Sequence, residues 1–368
     1  MNILIAPNAF KGTMTAEEAA KIIREAISEI YPEYKYVLCP IADGGDGTSC
    51  LLAKALHLPL IYKMALNAVG RPILGYFAMS RDGTTAFMDV STVSGIQHLK
   101  KEERDPFCAG TYGTGELIDA AVAEGAKEIV LGLGGTASID MGIGILRGLG
   151  FSFLDEYGRE IPMYSPSFLA KVRHIQKPIK KLPITFILLC DVQIPFFGDN
   201  GAIPIFGPQK GLAEDQIQSL EDDSSNFFKM LQTKSKEKLE DQPGFGAAGG
   251  IAVGLSAFFP TKMVNGSDYF FNKVQMDRQV QEADFIITGE GKYDTQSAEG
   301  KGSFKLMQLA QKYHKKIFLI TSGNDPGTGF HDVIYLPPLG PKKESDEAKY
   351  FLHKTVMEFF KMNRSAIR

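Results

Sequence analysis

Six short segments set glycine beside charged or hydroxyl side chains, and they constrain this chain more than any other feature. They are Phe10-Lys11-Gly12, Asp43-Gly44-Gly45-Asp46-Gly47-Thr48, Gly132-Leu133-Gly134-Gly135-Thr136, Phe206-Gly207-Pro208-Gln209-Lys210-Gly211, Gly244-Phe245-Gly246-Ala247-Ala248-Gly249-Gly250 and Thr288-Gly289-Glu290-Gly291-Lys292. They follow predicted strands or open predicted helices. Glycine accepts positive φ and lets an anion approach backbone N–H groups. A helix N-terminus behind such a loop adds partial positive charge, and Lys11, Lys210 and Lys292 add full charges. One glycine pair after a strand is an ordinary tight turn. Six such loops with lysines point to a site for phosphate groups.

The segments between the loops alternate in kind. Ile3–Ile5 reads as a strand closed by Pro7. Thr15 is placed to cap a helix over 16–30, with Glu18 as its capping-box partner. A strand over 36–39 and a helix over 48–56 follow. The same alternation returns at the other end, with strands over 284–288, 317–321 and 333–336 and helices over 303–312 and 345–361. Strand–loop–helix repetition predicts a parallel sheet covered by helices. The middle differs. Runs over 73–79 and 85–90 flank the turn Arg81-Asp82-Gly83, and a second hairpin is expected around Glu156-Tyr157-Gly158. Continuous apolar strands are expected over 128–132 and 184–190, and helices over 113–124, 141–149, 213–239 and 247–259. The expected fold class is therefore α/β. A Rossmann-like parallel-sheet domain is built from both chain ends, residues 1–70 and 265–368, and a mixed α/β domain, 71–264, is inserted between them.

Composition removes several function classes. With 40 basic and 43 acidic residues, the net charge of -3 makes no global electrostatic case for nucleic acid. No stretch approaches ~20 apolar residues, so no spanning helix and no membrane partner are expected. The start, MNILIAPNAF, lacks the charged and apolar regions of a secretory signal. Cys39, Cys50, Cys108 and Cys190 form no C-x-x-C pair, which suits free thiols in a reducing, cytoplasmic setting. Six dispersed histidines form no metal-ligand spacing.

Standard nucleotide motifs are missing. No G-x-x-x-x-G-K-[ST] occurs. The one G-x-G-x-x-G, Gly244–Gly249, follows a polar run rather than the strand that a dinucleotide fingerprint requires. The acids are more telling. Asp191 follows the strand Phe-Ile-Leu-Leu-Cys, and Glu290 and Asp294 follow Phe-Ile-Ile-Thr-Gly. Carboxylates at the carboxyl ends of parallel strands stand where α/β proteins bind ligands. Beside phosphates they can hold Mg²⁺ or accept a proton from an attacking hydroxyl.

In order along the chain, IAPNAFKGTMTAEEAA, PIADGGDGT, EERDPFCAGTYGTGELI, IVLGLGGTASIDMGIGIL, LCDVQIP, IFGPQKG, PGFGAAGG and IITGEGKYDTQSAEGK resemble the bacterial glycerate kinase family of the glycerate 2-kinase type. The resemblance implies two α/β domains with an active-site cleft between them. It also implies transfer of the γ-phosphoryl of ATP, with Mg²⁺, to a hydroxyl of D-glycerate, giving 2-phosphoglycerate in preference to 3-phosphoglycerate. Lys11, Asp43, Gly44, Gly45, Gly134, Gly135, Asp140, Asp191, Gly207, Lys210, Gly249, Gly250, Glu290 and Asp294 fall on shared motif positions. The expected roles are Asp191, Asp294 and Lys11 in catalysis, and Gly44, Gly45, Gly134, Gly135, Lys210, Gly249 and Gly250 on phosphates. Asp43 and Arg71 are assigned to substrate and Glu290 to metal. A homodimer is a further expectation. The chain departs from the family at Asn8 and Ala9 (usually Asp-Ser), Ile139 (Asn), Met141 (Gly) and Ile194 (Asn). Two alternatives stand beside the kinase: a kinase-like binding protein without turnover, and an NAD-dependent hydroxy-acid oxidoreductase.

Overall fold

Among the described residues, thirteen short strands form where apolar runs meet glycine or proline punctuation: β1 Asn2–Ile5, β2 Lys35–Leu38, β3 Leu60–Leu66, β4 Pro72–Met79, β5 Thr85–Asp89, β6 Glu128–Gly132, β7 Ser152–Leu154, β8 His174–Gln176, β9 Thr185–Leu189, β10 Thr261–Val264, β11 Phe285–Glu290, β12 Lys316–Thr321 and β13 Asp332–Tyr335. They belong to a computed structural model that describes residues 1–180, 182–293, 302–323, 328–339 and 345–363. The chain divides into two compact units. One is Met1–Asp43 with Ser267–Arg368, and the other is Gly44–Gly266.

In the unit made from both chain ends, five strands form an all-parallel sheet in the order β13-β12-β11-β1-β2. Winding starts at β1, goes outward to β2, then returns to β11 and proceeds the other way. That is the flavodoxin-type order of doubly wound sheets, with its switch point between β1 and β11. Ile3, Ile5, Ile287, Phe318 and Ile320 share one sheet face. They pack against Ala19, Ile23 and Ile27 of the helix Ala16–Ser28 and against Leu352, Val356 and Phe360 of the helix Ser345–Met362. Leu4, Ile286 and Leu319, on the opposite face, are also almost fully buried. Two covered faces explain why these strands read as unbroken apolar runs. Thr15 caps the first helix as its sequence predicts: its hydroxyl accepts from the Glu18 N–H, and Glu18 accepts from the Thr15 N–H at 2.9 Å.

The middle unit holds a six-stranded mixed sheet, β10-β9-β6-β5-β4-β3, in which β5, β6, β9 and β10 run parallel and β4 runs against β3 and β5. The first crossing between units lies at Asp43–Gly44, ahead of the expected position near 70. The reason is register: β3 pairs along β4 from Leu60↔Ala78 to Leu66↔Pro72, and the helix Thr48–Ala55 packs on the same sheet. The expected hairpin around Tyr157 is present but short: one bridge, Leu154↔Glu160, with the Asp155 N–H on the Arg159 carbonyl and the Ile161 N–H on the Phe153 carbonyl, while β8 pairs with the other edge of β7. The long helix after Ala213 occupies Ile217–Lys234 and stops where Ser235 turns to extended backbone.

Candidate active site

The parallel strands of each unit set their carboxyl ends, and the loops leaving them, along one sheet edge. In the two-ended unit, β1 and β11 part at the switch point. The Asn8 N–H donates to the Gly289 carbonyl at 2.7 Å, which continues the ladder one step past β1. The Asn8 side chain then donates to Asp43 Oδ2 at 3.3 Å, while its own oxygen takes the Ala9 N–H. Glu290, 6% exposed, ends β11. Lys11 is exposed on the next loop, which buried Phe10 anchors through a bridge to Met14. Gly291 lies against the backbone of Phe10 and Lys11. This unit thus gathers Asn8, Lys11, Asp43 and Glu290 at its switch point. Asp294 lies outside the described residues.

The middle unit gathers more. The segment Gly44–Gly47 lies over the carboxyl ends of β6, β9 and β10. A Cβ on Gly44 would stand 3.0 Å from the Gly266 Cα and from the Leu189 carbonyl carbon. A Cβ on Gly134 would stand 2.7 Å from the Gly45 Cα, and one on Gly135 would meet the Asp46 carboxylate. Side chains at these positions would push the two loops apart. Asp191, after β9, accepts from the Gly266 N–H at 2.8 Å. Gly44, Gly45, Gly134, Gly135 and Asp191 are therefore neighbours.

The other expected phosphate residues lie behind this layer. Lys210 is 3% exposed, and its ammonium donates to Thr136 Oγ1 at 3.0 Å and to the Ser138 carbonyl at 2.7 Å. Burial pulls its pKa down to about 7 against the opposing pull of Asp140. Lys210 thus braces the Gly132–Ser138 loop from inside. Gly249 and Gly250 have φ of +68° and +86°, and a Cβ on Gly249 would meet the Ser138 carbonyl oxygen. Their glycine identity follows from packing against Ser138–Met141. Asp140 accepts from the Thr111 hydroxyl and N–H, both at 2.8 Å, and from the N–H groups of Gly142 and Gly144, both at 3.1 Å. It holds the start of the helix Ile143–Gly148 to the start of the helix Tyr112–Ala123. Met141 is fully buried with φ +50°, a left-handed backbone for a side-chain-bearing residue. Arg71 stands apart, in a 2.7 Å surface ion pair with Glu103 that leaves its side chain 51% exposed.

Sequence reasoning passed over Asp89, which ends β5. Its carboxylate accepts from Ser49 Oγ at 2.7 Å and from the Ser49 N–H, at the first turn of the helix Thr48–Ala55. Complete burial, with Asp46 nearby, raises its pKa to about 7. The signal was present, since Asp89 follows the apolar run Ala-Phe-Met as Asp191 follows its own strand. Asn8 was noted as a departure, but its bond to Asp43 needs tertiary structure to be seen.

Left-handed glycines at 44, 47 and 135 turn successive N–H groups toward one another, the backbone arrangement that cradles anions. Among the described residues, no three Asp, Glu, His or Cys side chains converge as a metal cage. The donors at the strand ends are separate carboxylates, which suits Mg²⁺ held by one or two acids and by substrate phosphates. Gly244–Gly249 is preceded by loop, not strand, so the dinucleotide motif lacks its context here too. Among the described residues, no helix is long and apolar enough to cross a membrane.

Comparison with known proteins agrees with this geometry. The family model described as "Glycerate kinase family" matches residues 3–331. Glycerate 2-kinase of Escherichia coli (strain K12) is 34% identical over 86% of this chain and 84% of its own length. Glycerate kinase of Bacillus subtilis (strain 168) is 34% identical over 85% and 82%. A crystal structure of a Salmonella typhimurium LT2 protein, provisionally named glycerate kinase 2, superposes with a TM-score of 0.82 at 27% identity, over 99% of this chain and 98% of that one. A family model matched over residues 3–331, with relatives a third identical over most of both chains and a common fold, means that this chain belongs to the glycerate kinase family.

Proposed function

We propose that the protein is a glycerate kinase that moves the γ-phosphoryl of ATP onto a hydroxyl of D-glycerate, with the C2 hydroxyl favoured. The observation that carries this reading is the convergence of the family's glycine motifs, residues 44–47 and 132–136, on one sheet edge beside Asp191. Phosphoryl transfer needs positioning and charge stabilisation more than covalent chemistry. Backbone N–H groups of the two loops bind phosphate oxygens, and Lys210 keeps the second loop in shape. Lys11 supplies an exposed cation for phosphate or for the glycerate carboxylate. Asp191 orients the acceptor hydroxyl and takes its proton, a role for which Asp294 is the rival. Bound Mg²⁺ would neutralise phosphate charge, with Glu290 as one of its ligands. Asp43 belongs to the substrate-facing group. Arg71, already paired with Glu103, is the least supported of these assignments.

Purified protein with Mg-ATP and D-glycerate should release ADP in a coupled assay, and NMR of the product should show 2-phosphoglycerate. A folded sample without turnover above background would remove the kinase reading. 3-Phosphoglycerate as product would remove only the choice of hydroxyl. Asp191→Asn should lower kcat by ~10²-fold or more if Asp191 is the base.

The reading without turnover is kept because Ile139 and Ile194 put apolar side chains where the resemblance leads one to expect Asn, and ligand stabilisation without product would favour it. A homodimer is included in the proposal. Tyr62, Met64 and Leu74 form an exposed apolar patch on the β3–β4 edge that a second copy would cover, and sedimentation reads this directly.

A further inference from the structure

Asp46 lies at the junction of the two glycine loops, with nothing to neutralise it. The 43–48 loop folds over the 132–136 loop so closely that Gly134 and Gly135 have no room for a side chain. A Cβ on Gly135 would stand 2.8 Å from the Asp46 Cγ and meet both of its carboxylate oxygens. A Cβ on Gly134 would stand 2.9 Å from the Asp46 backbone nitrogen and 3.0 Å from Oδ1. The carboxylate is thus laid on the backbone of Gly135, which holds φ +54°. It occupies a place where left-handed glycines arrange N–H groups for an anion.

The ordinary uses of such an acid are filled by other groups. The N-cap of the helix Thr48–Ala55 is Gly47, so Asp46 does not cap it. The Ser49 N–H in the first turn goes to buried Asp89. The turn itself is closed by the Thr48 hydroxyl, which donates to the Gly45 carbonyl at 2.8 Å. Among the described residues, no hydrogen bond and no ion pair reaches the Asp46 carboxylate, which is exposed. Burial raises the Asp89 pKa, and the Asp46 charge adds to that rise. The cradle therefore carries two acids close together, and among the described residues neither has a cation in ion-pair contact.

A bare carboxylate in a phosphate cradle repels the phosphate it should receive, unless a divalent cation stands between the two. Mg²⁺ takes oxygen ligands, and one or two carboxylates with substrate phosphates and waters suffice for it. We propose that Asp46 is a ligand of the divalent cation that accompanies the nucleotide, so that the two loops accept a polyphosphate as its metal complex and reject the metal-free anion. The inference rests on the kinase reading and names the form of nucleotide that the loops take.

Calorimetric titration of the full chain with ADP, first in EDTA and then in excess Mg²⁺, tests it, and the ratio of the two affinities is the readout. The wild type should bind ADP ~10-fold or more tightly with Mg²⁺ than without. In Asp46→Asn that ratio should fall close to one, with metal-free ADP bound as tightly as by the wild type or more so. A purely structural aspartate would weaken both forms alike and leave the ratio in place. An unchanged ratio in the variant, or no Mg²⁺ gain in the wild type, overturns the assignment. If the variant does not fold, the wild type suffices: Mn²⁺ with ADP should broaden the amide NMR signals of residues 44–48 and 134–136, and sharp signals there overturn it. Wild-type turnover of glycerate with an unchanged ratio in the variant removes this inference alone. ADP that binds the wild type in neither medium removes the nucleotide reading with it.

Discussion

Three residues show how much of the site depends on close approach and burial. Gly44 has φ +88° and two backbone neighbours at 3.0 Å from a would-be Cβ. Gly44→Ala should therefore cost about 1–3 kcal/mol, since neither neighbour is a flexible side-chain end that can yield. A lowered urea midpoint measures this, and an unchanged midpoint would refute the packing argument. Asp89 and Lys210 give opposite pH signatures. An unfolded aspartate ionises near pH ~4, whereas folded Asp89 does so at about 7. In that window the folded state holds the extra proton, so this group's contribution falls as pH rises. Asp89→Asn should gain on the wild type between pH ~4 and 7 and level off above that. Lys210 is displaced downward, to about 7 against ~10.4 for a free lysine. Between those values the unfolded state binds more protons, so the wild type should gain on Lys210→Met from pH 7 to 10. Urea titrations at stepped pH read both slopes, and flat differences would mean that solvent reaches these groups. The sequence marked Lys210 by its glycine neighbours, but not its burial, because the brace to Thr136 and Ser138 spans more than seventy residues of chain.

Helices and strands whose partners are local were legible beforehand; those defined by distant pairing were not. The helix Ala16–Ser28 carries its own start signal, and Glu18 is held at a pKa of about 2, first by Lys349 and then by the Thr15 N–H. Thr15→Ala should cost about 1 kcal/mol, seen as a lower Tm with the fold retained. An unchanged Tm would mean that the helix is held by packing alone. β11 and β12 were read from their continuous apolar runs, because both of their faces are buried. The strand β10 escaped notice, since Thr261–Val264 is short, with Lys262 exposed, and exists as a strand through its pairing with β9. β7 was expected to pair only across its own turn, and it pairs on both of its edges. Its turn chemistry gave the local hairpin, closed by the Leu154↔Glu160 bridge and by the Ile161 N–H on the Phe153 carbonyl, but not the second antiparallel partner, β8, some twenty residues on.

At the scale of the whole molecule, the middle unit is one continuous stretch, Gly44–Gly266, whose ends meet at the 3.0 Å approach of Gly44 to Gly266, and it has its own core. A fragment of residues 44–266 should fold alone, with a cooperative urea transition. A fragment that stays unfolded would mean that its stability depends on the other unit. The two-ended unit needs both termini, because β1 lies between β2 and β11 in the sheet. Taken alone, the order of residues determined the family motifs, the α/β class and the contrast between the ends and the middle. Glycine spacing, capping signals and apolar periodicity are local properties of a chain. Tertiary structure alone decided that Arg71 pairs on the surface, that Lys210 and Asp140 are interior braces, that Asp89 is a buried acid, and that β3 joins the middle sheet. Each of those depends on burial or on a partner far along the chain, and desolvation and register are set only once distant segments meet.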